Sequence, residues 1–253
     1  MSEYQNPLFD LQNVIYNSKN FTRRRLHQLR LNWVFGSINK YAKNNSAAKV
    51  LEYGPGSGVY LPKLLEHCDD VTAADIENAY LDGIRPLMGS NKNLKLVEDN
   101  ILDSQIKDNS FDLILCSEVL EHLSNPEVAL KTIYRVLSDG GIAIISTPQK
   151  YSLLELMCKI ALHPSLIKFT RMIYQESVLE TGHISLLSES EFITAVQSCG
   201  FKIIDSKKFG LYVPFIAEFA GERGGRFIEW LELRLPKNLS FMLWTQAYIL
   251  RKA

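Results

Sequence analysis

No sign of charge predominates in this chain: 28 Lys and Arg stand against 28 Asp and Glu. No global field is available to hold a polyanion, so nucleic acid is not an expected partner. No apolar run approaches the roughly 18 uninterrupted residues of a spanning helix, because Lys, Arg, Glu or Pro breaks every candidate. The opening Met1-Ser2-Glu3-Tyr4-Gln5-Asn6-Pro7 carries neither the basic region nor the apolar core of a secretory leader, and export is not expected. Cysteine is scarce. The four, at 68, 116, 158 and 199, are too scattered for a zinc pattern or a compact disulfide framework, which favours a reducing, cytoplasmic setting. Internal repeats and low-complexity tracts are also absent.

What is present describes a globular α/β protein. Hydrophobic residues make up 46% and charged residues 22% of 253, enough for a substantial core and the size of one large domain. From Lys49 onward, apolar runs at 49–53, 70–74, 94–97, 111–116 and 142–146 alternate with helical segments. Runs of that kind come from strands buried on both faces, and their alternation with helices predicts a doubly wound, mostly parallel sheet with its ligand at the strands' carboxyl ends. The expected organisation is a helical lead-in over 1–45, with a helix over 21–41, and a core over 46–148. A lid-like pair of apolar helices follows at 149–182, and the C-terminal strands span 183–253. Ser188 and Glu191 form a capping-box pattern opening a helix that ends at Gly200. Strands are expected at 201–208 and 241–250, with an apolar insertion, 211–236, between them and broken by Gly221 and Gly224-Gly225. Arg23, Arg24, Arg25, Lys40 and Lys43 offer either an anion-facing surface or a solvated helix face.

The most specific segment is Glu52-Tyr53-Gly54-Pro55-Gly56-Ser57-Gly58. Glycines let the backbone pass close to a bulky ligand. A dinucleotide fingerprint would place its third glycine at 59, where this chain has Val59, and the carboxylate of Glu52 would repel a pyrophosphate but not an ammonium group. Asp75 ends the second apolar run, 21 residues after Gly54. Leu94-Lys95-Leu96-Val97-Glu98-Asp99-Asn100, the run 111–123 containing Glu118-Val119-Leu120-Glu121-His122, and the Gly140-Gly141 turn before 142–147 follow in order. Together these resemble the ordered motifs of the class I S-adenosylmethionine-dependent methyltransferases, in the small-molecule branch similar to the ubiquinone-biosynthesis type, strongly over 45–150 and more weakly over 183–208. The resemblance implies a Rossmann-like, doubly wound seven-stranded sheet whose last strand inserts antiparallel beside the fifth, with insertions after strand five and before the last strand.

That resemblance also implies a cofactor, S-adenosylmethionine, and a set of binding residues. Glu52, Tyr53, Gly54, Gly56 and Gly58 would take the methionyl end, and Asp75 the ribose hydroxyls with Ile76 beside it. Asp99, Asn100 and Ile101 would border the adenine, and Ser117 and Glu118 would stand at the exit of the fourth strand. The acceptor is expected to be a small molecule or a lipid-linked one, methylated at oxygen with carbon and nitrogen left open, and met with peripheral membrane contact through the apolar insertions. An imidazole near the acceptor would remove its proton. His183 is the first candidate and His122 the second. Glu118, Glu121 and His122 offer ligands for a divalent cation, but their spacing is equally that of an ordinary helix, and no metal is expected. Two other readings stay open: a nicotinamide-dependent oxidoreductase on a related sheet, and a non-catalytic partner subunit with the same fold.

Overall fold

Side chains that must be buried on both faces turn the apolar runs into strands. The computed structural model of the protein describes residues 16–42, 46–88, 91–161 and 183–253. Its strands are β1 (Lys49–Tyr53), β2 (Asp70–Asp75), β3 (Leu94–Glu98), β4 (Phe111–Ser117), β5 (Leu137–Pro148), β6 (Phe201–Phe209) and β7 (Thr245–Lys252). They form one seven-stranded sheet in the order β3-β2-β1-β4-β5-β7-β6. Pairing is parallel from β3 to β5, whereas β7 runs antiparallel to both β5 and β6. The order of strands reverses between β1 and β4, which opens a crevice at their carboxyl ends.

The helices are α1 (Phe21–Tyr41), α2 (Leu61–Leu65), α3 (Asn78–Met88), α4 (Pro126–Val136), α5 (Leu153–Ala161), α6 (Glu189–Ser198), α7 (Ile216–Phe219) and α8 (Gly221–Glu232). Strand alternation sorts the core into two layers. Leu51, Tyr53, Ile114, Cys116 and Ile145 pack with Leu130 and Ile133 of α4 and Phe192 of α6. Val50, Leu113, Leu115 and Ile144 pack with Val34 and Ile38 of α1, Leu61 and Leu64 of α2 and Ile84 of α3. Each such fully buried side chain stabilises by roughly 1.5–3 kcal/mol. A one-residue slip of β1 would exchange the two layers, so the register is tightly specified.

Several features depart from the sequence reading. The final strand starts at Thr245, not 241, because its ladder begins where Thr245 meets Pro148 at the end of β5; Phe241 and Met242 close a 3-10 turn, Lys237–Met242. Gly224 and Gly225 do not break the insertion but lie inside α8. A Cβ on Gly225 would stand 2.0 Å from a ring carbon of Phe21, and one on Gly224 2.3 Å from Ala220 Cβ, so these glycines let α8 close against α1 and α7. The basic start of α1 is spoken for: Arg23 pairs with Glu218 at 3.0 Å and Arg25 with Glu232 at 2.8 Å. The lead-in to residue 15, Lys43 and the second lid-like stretch, 166–174, lie outside the described residues.

Candidate functional site

β1 ends in a turn that needs glycine. Gly54, Gly56 and Gly58 have φ of 65°, 52° and 71°, and a Cβ on Gly54 would stand 2.5 Å from Val119 Cγ2, so the turn passes directly against the β4 exit. Beside it lies a cavity of about 350 Å³, lined by Tyr53, Gly54, Ala74, Asp75, Ile76, Asp99, Asn100, Ile101, Leu102, Val119, His122, Leu123, Ser124 and Ile184. This is within the size range of small-molecule sites, and it sits at the reversal of strand order.

The walls are polar at defined points. Asp75 turns one carboxylate oxygen back to accept from the Glu77 N–H at 2.9 Å, and burial raises its pKa. Asp99 accepts from the Gln105 N–H at 3.0 Å and from the Tyr53 hydroxyl at 3.3 Å, so its carboxylate is fixed in direction. Burial pushes the Tyr53 phenol up, and the neighbouring Asp99 adds to the shift. Asn100 Oδ1 accepts from the Leu102 N–H at 3.0 Å. Between these groups Ile76 is 57% exposed, an apolar side chain left open to the cavity. Glu52 is buried under the glycine turn with Oε2 unpartnered, and burial raises its carboxyl pKa well above the ordinary range.

The expected residues therefore divide. Tyr53, Gly54, Asp75, Ile76, Asp99, Asn100 and Ile101 line the cavity, while Glu52, Gly56 and Gly58 build the turn beside it. Ser117 and Glu118 are placed elsewhere and do not line it. Ser117 shares hydrogen bonds with Ser146 at 2.8 Å and Tyr60 at 3.3 Å. Glu118, with φ of 58°, accepts from Arg30 of α1 at 2.7 Å and from the Ser146 hydroxyl at 3.2 Å.

At the β4 end of the cavity, His122 lines the wall and its ring centroid lies 5.3 Å from that of His183. His183 Nδ1 is 3.2 Å from Glu155 Oε2, and the other oxygen of Glu155 accepts from Trp244 Nε1 at 3.2 Å. Glu155 is only 3% exposed. Glu121 is fully buried, accepting from Thr147 at 3.1 Å with Oε1 unpartnered. Burial, and then the charge of Glu118, pushes its carboxyl up. Glu121, His122 and His183 each bring a donor atom within 4.8 Å of the others; Glu118, held by Arg30, is not part of that group. Sequence reasoning did not reach Glu155, Arg30, Trp244 or the cavity residues Leu102, Leu123, Ser124 and Ile184. The one available signal was Glu155, the single carboxylate in a helix whose only other charged residue is Lys159.

The residues present fit an adenosyl ligand: a turn without side chains, carboxylates at the strand ends, and an apolar wall for a flat ring. Curated relatives agree with that chemistry over part of the chain. The ubiquinone biosynthesis O-methyltransferase of Rickettsia bellii is 30% identical over 127 residues, 49% of this chain and 51% of that protein. The one from Pseudomonas fluorescens is 27% identical over 126 residues, 48% of this chain and 51% of that protein. The chain thus spans about half the length of the curated relatives it matches. In fold it is similar to an S-adenosylmethionine-dependent methyltransferase from Mesorhizobium loti, with a TM-score of 0.61 at 15% identity, over 87% of this chain and 97% of that one. It is also similar to a structure described as a complex between the Haloferax volcanii Trm112 methyltransferase activator and a methyltransferase, with a TM-score of 0.63 at 15% identity, over 100% and 99%. The family model described as a methyltransferase domain matches residues 22–206, from α1 into β6. The chain belongs to that family, among the class I S-adenosylmethionine-dependent methyltransferases.

Proposed function

We propose that the protein transfers a methyl group from S-adenosylmethionine to a hydroxyl of a small or lipid-linked acceptor. The observation that carries this reading is the His183–Glu155 pair beside the cavity that Asp75 and Asp99 border. Asp75 accepts the ribose hydroxyls with the part of its carboxylate not turned onto Glu77. Ile76 and Ile101 flank the adenine, with Asp99 and Asn100 at its edge. The glycine turn and the Glu52 carboxylate receive the methionyl end, and Ser117 and Glu118 shape the β4 exit behind it. S-adenosylmethionine, when bound, supplies an electrophilic methyl on a sulfonium sulfur. An acceptor oxygen bonding to that methyl would displace the sulfur as a neutral thioether, and the part of this chain would be to hold the two together and take up the hydroxyl proton.

His183 removes the hydroxyl proton. With a proton on Nδ1 donated to Glu155, its Nε2 is the free base, and a fixed base of this kind contributes typically about 10²- to 10⁴-fold. The similarity to ubiquinone biosynthesis O-methyltransferases supports an oxygen acceptor. Among the described residues no helix is long and apolar enough to cross a membrane, and a lipid-linked acceptor would be met by peripheral contact from the cytoplasmic side.

Calorimetric titration with S-adenosylmethionine and S-adenosylhomocysteine tests the cofactor site. Asp75→Ala is expected to weaken both ligands by about 2 kcal/mol, the loss of a charge-assisted hydrogen bond. Unchanged affinity in that variant would remove Asp75 from the site. Binding without turnover on any hydroxylated acceptor would favour the partner-subunit reading.

A further inference from the structure

Glu218 of α7 and Glu232 at the end of α8 turn inward, where Arg23 and Arg25 of α1 neutralise them. The opposite side of α8 has another character. On a helix of 3.6 residues per turn, 223, 226, 227, 230, 233 and 234 fall on one side, whereas the buried Gly224, Gly225 and Ile228 face α1 and α7. The outer side therefore presents Phe227, Trp230 and Leu233 together with Arg223, Arg226 and Arg234; Glu222 at its edge pairs with Arg226 at 2.7 Å, so that Arg223 and Arg234 carry the excess positive charge. Phe227 and Trp230 are each 48% exposed and stacked with ring centroids 5.9 Å apart, and Leu233 is 78% exposed. The Arg234 guanidinium lies 4.4 Å from the Trp230 ring centroid, a geometry that keeps a cation at the rim of an apolar surface.

The adjoining α7 carries exposed aromatic side chains of its own. Phe215 is 75% and Phe219 69% exposed. Phe215 has φ of 64°, held by an Ile216 N–H to Pro214 carbonyl hydrogen bond of 2.7 Å, a three-residue turn that is strained for a side chain of this size. The fold spends conformational freedom on displaying an aromatic residue to solvent.

We infer that the outer face of α7 and α8 docks on an anionic phospholipid surface, with the aromatic side chains at the headgroup level and the arginines on lipid phosphates. Aromatic and aliphatic side chains interleaved with arginine are the composition of helices that lie in a bilayer interface. A second copy of the chain meeting this face symmetrically would set the excess positive charge of Arg223 and Arg234 against its own counterpart, so charge favours the anionic bilayer. This inference deepens the lipid-linked part of the proposed function, and it places docking on the insertion before β7.

Co-sedimentation of the full chain with vesicles of phosphatidylglycerol and phosphatidylcholine tests it, with phosphatidylcholine vesicles alone as the comparison. The protein is expected to bind the anionic vesicles, less so as salt rises. Phe227→Glu with Trp230→Glu, and separately Arg223→Glu with Arg234→Glu, should each lower the partition coefficient by about tenfold or more. All four positions are exposed, so the variants should keep the wild-type melting curve and S-adenosylmethionine titration. Failure of that titration in the wild type would count against the proposed function while leaving the vesicle result readable. Absence of binding to anionic vesicles overturns the docking inference, as does binding unchanged in both variants. A dimer in sedimentation velocity that Phe227→Glu with Trp230→Glu disperses, without vesicle binding, overturns it in favour of self-association.

Discussion

The arrangement around His183 depends on which nitrogen of one ring carries a proton. Glu155 is shielded from water and its two oxygens have separate duties, one toward His183 Nδ1 and one toward Trp244 Nε1. A buried carboxylate in that position fixes both the orientation and the tautomer of the imidazole. Removing its charge while keeping its shape isolates this effect. Glu155→Gln is expected to lower kcat by about 10-fold to 100-fold, with S-adenosylmethionine affinity unchanged. Glu155→Asp should recover part of the loss. His183→Ala should lower kcat further at the same cofactor affinity. Wild-type kcat in both Glu155→Gln and His183→Ala would show that positioning of the acceptor alone suffices and that the imidazole is structural.

Among the elements, α6 shows how a local sequence signal becomes a tertiary joint. Ser188 Oγ accepts from the Glu191 N–H, and the Glu191 carboxylate accepts in return from the Ser188 N–H, a capping box that was legible from spacing alone. The structure adds Lys150, which follows β5 and donates to Glu191 at 2.8 Å. The Lys150 hydrogen bond, then the Ser188 groups, draw the Glu191 pKa from its ordinary 4.5 down to about 2. Because the folded-state value lies below that of the unfolded chain, the stabilisation is complete above pH 4.5 and fades as pH falls toward 2. Both partners are partly solvated, with side chains 32% and 45% exposed, so the pair contributes no more than about 1 kcal/mol. The stability difference between wild type and Glu191→Gln, from urea unfolding at a series of pH values, should therefore shrink over that interval. A difference constant from pH 6 to pH 2.5 would show that the charge on Glu191 does nothing for the joint.

Across the whole molecule, the sequence is most readable where burial is two-sided. Strands β1, β2 and β4 announce themselves as continuous apolar runs, and Gly54 and Asp75 at their ends follow from strand position. What could not be read is contact between distant segments that share no pattern. Nothing in the composition of α1 says that Arg30 reaches Glu118, 88 positions away, or that its guanidinium lies 5.4 Å from the Trp244 ring centroid just before β7. Arg30 thereby ties α1 to the β4 exit and to the segment that enters β7. Burial opposes the Arg30 charge, yet Glu118 beside it raises the Arg30 pKa above the ordinary range, and the two side chains are only 8% and 17% exposed. Removing one partner of such a pair leaves a shielded charge without compensation, whereas removing both charges need not. Arg30→Ala is accordingly expected to destabilise the fold by about 3–5 kcal/mol. Arg30→Met with Glu118→Gln should recover much of that, since the methionine keeps the contact with Trp244 and the glutamine keeps a polar partner for Ser146. Urea unfolding midpoints of the three proteins test this: equal losses in Arg30→Ala and in the double variant, which keeps the packing against Trp244, would mean that the charge pair is itself net stabilising and that packing does not replace it.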